Sequence, residues 1–146
     1  MSSDGIIVVP QMPSGSGTIK AVFERVEALN NGAAGIVIDG APSGPEVSIA
    51  ATIADSVTAD NLNGIVAESI AGQAPVKTMV RNTVISNNST GISVSSPQVA
   101  IFLGHSTISG NGTALSNPSG TLASYGDNNI DGNTAFGTAP SAVAFH

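Results

Sequence analysis

The chain has 146 residues, with 4 basic and 10 acidic side chains, no Cys, no Trp, one Tyr and a net charge of −6. Charged residues are 10% of it, against roughly 25% in ordinary soluble proteins, and the four basic residues Lys20, Arg25, Lys77 and Arg81 are too few for a phosphate-neutralising stripe. Nucleic acid and anionic membrane are therefore excluded as partners, and the missing Cys removes disulfides, thiolate metal sites and Cys nucleophiles. No apolar run approaches the roughly 20 residues of a membrane helix. The first residues, Met1 to Gly5, lack the basic and apolar regions of a signal peptide. Positive mean hydropathy with few charges argues against disorder, and the length suits one domain, residues 1–146.

In chain order, a Gly followed by an apolar strand occurs at Gly5-Ile6-Ile7-Val8-Val9, Gly35-Ile36-Val37-Ile38-Asp39, Gly64-Ile65-Val66-Ala67-Glu68 and Gly91-Ile92-Ser93-Val94-Ser95, with a weaker copy at Ala114-Leu115. Between the first two, Ile19, Val22, Val26 and Leu29 have helical spacing and end on Asn30-Asn31-Gly32, a good helix stop. The register of the repeat opposes that helix, because the 30-residue offset that superposes Gly5 on Gly35 also superposes Phe23 on Ile53 and Asn31 on Asn61. A second signature precedes each later Gly or Ala: Asp55 to Asn61, Asn82 to Asn88 and His105 to Asn111, with a last copy from Asp127 to Asn133.

This phasing predicts stacked columns: Asn31, Asn61, Asn88, Asn111 and Asn133; Phe23, Ile53, Val80, Leu103 and Tyr125; Ile36, Ile65, Ile92 and Leu115. Repeats that shrink from about 30 to about 22 residues cannot bury an apolar face alone and must stack on their neighbours. The expected fold is all-β, a right-handed parallel β-helix (β-solenoid) of about four to five coils. Residues 5–133 make the coils, and 134–146 a tail or cap with Phe136, Val143 and Phe145 folded under the last coil. Asn suits the corner, since it tolerates the left-handed conformation and its amide can donate to one neighbour while accepting from the other.

Asn-x-x-Ile-Ser-x-Asn followed by Gly-Ile-x-Val resembles the parallel β-helix repeats of the pectate-lyase-like superfamily, and the stretch from Ser124 to Asn133 resembles the last coil of bacterial β-helix repeat proteins. The resemblance implies a secreted or cell-surface protein. It also implies an N-terminal capping element, whereas this chain enters almost at once into the Gly5 strand. An uncapped first coil exposes an apolar cross-section and unpaired strand edges, so self-association through the N-terminal coil, as an end-to-end dimer, is expected.

Lyases and hydrolases of that superfamily work through surface carboxylates on successive coils. Here the register gives a column of Arg25, Asp55, Asn82, His105 and Asp127, the candidate ligand-binding residues, with Arg25 beside Asp55 and His105 beside Asp127. No two Asp are adjacent in it. Asp39 and Glu68 end successive strands, but Ser95 takes the next coil, so the carboxylates stop at two and no metal or cofactor is expected. Gly104-His105 is followed by Ser106, without the paired Asp that a polygalacturonase has. Asn88-Ser89-Thr90, Asn87-Asn88-Ser89 and Asn111-Gly112-Thr113 match glycosylation acceptors. The expectation is a non-enzymatic module for assembly or surface interaction, with a carbohydrate-binding or carbohydrate-cleaving module as the alternative.

Overall fold

A computed structural model describes residues 3–144. Among them there is no helix, and every strand pairing is parallel. Three sheets form the sides of a β-solenoid. Sheet A holds β1 (Ile6–Val8), β4 (Ala34–Asp39), β7 (Asn63–Glu68), β10 (Thr90–Ser95), β13 (Thr113–Ser116) and β16 (Ala135–Gly137). Sheet B holds β2 (Gly17–Glu24), β5 (Val47–Ala54), β8 (Val76–Arg81), β11 (Val99–Gly104), β14 (Thr121–Ser124) and β17 (Ser141–Ala142). Sheet C holds β3 (Glu27–Leu29), β6 (Val57–Ala59), β9 (Val84–Ser86), β12 (Thr107–Ser109) and β15 (Asn129–Ile130). The chain visits A, B and C in turn, so each strand lies one coil beyond its predecessor in the same sheet.

The helical spacing over residues 19–29 is overruled. The segment forms β2 and β3, with Val22 71% exposed and Leu29 42% exposed instead of joined in one buried stripe. Stacking decides this, because eight consecutive residues of β2 pair with β5, Phe23 opposite Ile53, and a helix would forgo all of those inter-coil bonds.

The interior is built from aliphatic columns. Ile36, Ile65, Ile92 and Leu115 stack in sheet A, and Ile53, Val80 and Leu103 stack in sheet B; all are fully buried. Two hydroxyls interrupt this apolar filling, Thr58 Oγ1 and Thr78 Oγ1, both buried and without a hydrogen-bond partner.

The corner between sheets C and A is filled by amides. Asn31 Nδ2 donates to Asn61 Oδ1 at 3.0 Å, Asn61 to Asn88 at 3.1 Å, Asn88 to Asn111 at 3.0 Å and Asn111 to Asn133 at 2.9 Å. Each accepting Oδ1 also takes the backbone N–H of the preceding Asn. Four of the Nδ2 groups reach across the corner to a strand carbonyl of sheet C. The Gly in second place of β4, β7 and β10 follows from this filling: a Cβ on Gly64 would lie 2.5 Å from the Gly91 carbonyl oxygen and 2.9 Å from Asn88 Nδ2.

The two ends differ. At the first coil Ile6, Val8, Ala21 and Phe23 are only partly buried, whereas Ile36, Ile38 and Ile53 one coil further on are 0% exposed. At the other end the coil continues past residue 133 into β16 and β17. Phe136 lies on β16 and is 46% exposed, lining a depression with Ile130 and Asn133. Val143 is half-buried, with its N–H bonded to the Ser124 carbonyl. Phe145 lies outside the described residues.

Candidate functional site

Between sheets B and C the chain turns through one residue in the left-handed region: Arg25 (φ 56°), Asp55 (φ 50°), Asn82 (φ 46°) and His105 (φ 49°). A polar residue just after it locks three of these four turns. Ser56, Thr83 and Ser106 donate their hydroxyls to the carbonyls of Ala54, Arg81 and Gly104. Ser56 and Ser106 also accept the N–H of Val26 and Thr83 from the coil before. Four of the five candidate residues are thus stacked corner residues whose side chains point outward.

Their contacts are narrower than the column suggests. Arg25 reaches Glu24, at 3.8 Å, as its carboxylate partner instead of Asp55. Asp55 Oδ1 accepts a hydrogen bond from Asn82 Nδ2 at 3.1 Å. His105 does meet Asp127: its N–H donates to Asp127 Oδ1 at 3.0 Å, and its Nδ1 lies 2.6 Å from Oδ2.

The last corner departs from the repeat. Leu103 pairs with Ser124 whereas Thr107 pairs with Asn129, so this corner holds one residue more than the one before. Gly126, at φ 84°, absorbs the extra residue in a conformation that costs glycine little. Two consequences follow. Asp127 is set back far enough for its carboxylate to fold onto His105. Tyr125 does not continue the interior column under Leu103; it stands opposite Gly104 on the outside, where a Cβ on Gly104 would lie 3.5 Å from its ring. The one signal for this in the sequence is Tyr125-Gly126-Asp127 standing where the preceding coil has Gly104-His105.

Together these residues shape an open depression of about 190 Å³ lined by Met79, Arg81, Gly104, His105, Tyr125 and Asp127. It combines an aromatic wall, a guanidinium and a His–Asp pair, of which His105 is 70% exposed and Asp127 19% exposed. Arg25, Asp55 and Asn82 do not line it.

The acidic pair is also in place. Asp39 and Glu68 are Cα partners, and Ser95 follows Glu68. Burial first, then the charges of Asp39 and Asp4, raise the Glu68 carboxyl above its ordinary value. Among the described residues no three His, Cys, Asp or Glu come together as a metal site. Of the glycosylation matches, Asn88 and Asn111 are 2% and 1% exposed, their amides committed to the corner.

No family model, curated protein or solved structure matches the chain.

Proposed function

We propose that the protein is a non-enzymatic β-helix module of the pectate-lyase-like kind, its amide column acting as an asparagine ladder, and that it assembles through the first coil into a twofold dimer. Both ends leave edge strands and half-covered interior side chains, and what favours pairing at the first coil is the ring of Phe136 at the other end. At the N-terminal end β1, β2 and β3 are edge strands, the interior side chains are half-covered, and among the described residues no strand lies beyond their alternate N–H and C=O groups, a surface that recruits another strand. At the far end Phe136 occupies the column otherwise filled by Gly64, Gly91 and Ala114, where the next coil would need room for its carbonyl. A bulky ring there opposes head-to-tail stacking, so pairing runs first coil to first coil, with antiparallel strands across a closed twofold axis.

Light scattering over rising concentration tests this. The expected mass is twice the 14.4 kDa of one chain. Val22→Pro removes an N–H on the free side of β2 while sparing the bonds that Gly17 and Arg25 make to the next coil, a substitution that edge strands tolerate, and is expected to restore the monomer. A parent protein monomeric at millimolar concentration overturns the reading.

One observation favours carbohydrate binding as a second reading: Tyr125 presents its ring beside Arg81, His105 and Asp127, an aromatic wall with polar groups at its rim. A glycan screen in which Tyr125→Ala abolishes a hit supports it, and a screen without hits refutes it.

A further inference from the structure

The protein's scarce positive charge is gathered on one surface. Lys20, Lys77 and Arg81, three of the four basic residues of a chain with net charge −6, stand exposed on sheet B strands, and of the acidic residues only Glu24 belongs to those strands. Glu24 already lies 3.8 Å from Arg25. Among the described residues, none of Lys20, Lys77 and Arg81 has a carboxylate within 4.0 Å.

Strand β8 concentrates the pattern. Val76, Thr78 and Val80 point inward, while Lys77, Met79 and Arg81 alternate on the outside. The strands on either side leave each cation room: Lys77 lies between Ala50 and Ala100, and Arg81 between Ala54 and Gly104. Met79 sits between Thr52 and Phe102, an apolar saddle between the two charges. A depression adjoins each end, one of about 350 Å³ at Thr18, Ser48, Ala50, Pro75 and Lys77 and the one of about 190 Å³ at Arg81.

We propose that this face binds an extended acidic peptide lying along β8, with two carboxylates four residues apart on Lys77 and Arg81 and an apolar side chain midway between them on Met79 and Phe102. The match is one of period as well as charge. Lys77 and Arg81 are about 13 Å apart at a rise of roughly 3.3 Å per residue, and an extended peptide has the same rise and the same alternation of side chains. A polyuronate can also space carboxylates at about this distance, but it has no apolar side chain between them to lie on Met79 and Phe102. The site lies on an interior strand of its sheet, so it goes beyond the end-to-end pairing and does not depend on it.

Fluorescence anisotropy at low salt tests the proposal with two labelled peptides of identical composition, one with glutamates four apart flanking a central leucine, the other with the glutamates adjacent. The spaced peptide is expected to bind about tenfold tighter, with the interaction weakening as salt rises. Lys77→Glu and Arg81→Glu should each weaken it about tenfold, with circular dichroism unchanged because both side chains are exposed. The Val22→Pro monomer should bind as the parent does. Equal affinity for the two peptides, no saturable binding, loss of binding in the monomer, or preferential binding of polygalacturonate would each overturn the proposal.

Discussion

Replacing Asn88 by Ala puts the amide column to its most direct test. Asn88 is 2% exposed and its side chain makes four hydrogen bonds: Oδ1 accepts the Asn61 N–H at 3.0 Å and Asn61 Nδ2 at 3.1 Å, and Nδ2 donates to the Thr58 carbonyl at 3.2 Å and Asn111 Oδ1 at 3.0 Å. Three of the four partners keep another bond, since Asn61 Nδ2 still reaches Ala28, Asn111 Oδ1 still accepts the Asn88 N–H, and the Thr58 carbonyl lies within the β6–β9 pairing. The Asn61 N–H is left buried with no acceptor. An orphaned buried donor costs roughly 1–3 kcal/mol, and each of the three lost bonds whose partner stays satisfied about 0.5 kcal/mol, giving a destabilisation of about 2.5–4.5 kcal/mol. Asn133→Ala at the end of the column is the control: it makes the same kinds of bond, but Asn133 is half-buried on the outermost coil, so water can fill the space its side chain leaves and its cost should be less than half as large. Urea unfolding followed by circular dichroism measures both. A loss below about 1 kcal/mol for Asn88→Ala, or equal losses at the two positions, would refute the idea that burial of the amide column holds the coils in register.

Three further outcomes follow from the same geometry. Gly64→Ala, which drives a methyl to 2.5 Å from the Gly91 carbonyl, should lose about 1–3 kcal/mol by overpacking, whereas Gly72→Ala, with φ +80° and open space around it, should lose only about 1 kcal/mol to backbone strain; thermal melts distinguish them. Thr78→Val removes a buried hydroxyl that has no partner and should stabilise the fold by about 1 kcal/mol; a lower melting temperature would mean that the hydroxyl has a role. Because the folded Glu68 carboxyl is raised, the folded chain binds more protons than the unfolded one between the ordinary and the raised value, and stability falls as pH rises through that window and stays lower above it. Glu68→Gln should therefore melt higher than the parent at pH 7, with the gap closing as pH falls below the ordinary carboxylate value; a gap independent of pH would contradict the assignment.

Most of the architecture is legible in the residues because stacking at one coil spacing forces like residues into columns. The Gly and Asn positions, recurring with a drifting period, locate the corners and the sheet A strands, and the 30-residue offset chooses strand over helix for residues 19–29. The candidate site was legible only in part. The stack of Arg25, Asp55, Asn82 and His105 follows from the corner register, and the nearness of Asp127 to His105 with it. The Asp55–Asn82 bond and the turn of Arg25 toward Glu24 depend on side-chain torsions that no spacing records.

The recurrence of Gly, Asn and aliphatic residues at a drifting period, in a chain with few charges, determines a parallel stack with an aliphatic interior and amide-filled corners, since stacked coils satisfy the backbone and bury the core between like residues. The tertiary structure alone decided where the exceptions fall. One extra residue at Gly126 slips the register and moves Tyr125 from the interior to the surface. Alternation along β8, fixed by which side of the strand the core claims, turns Lys77, Met79 and Arg81 into one outward row. Both outcomes depend on a shift of a single residue, which in a strand exchanges inside for outside.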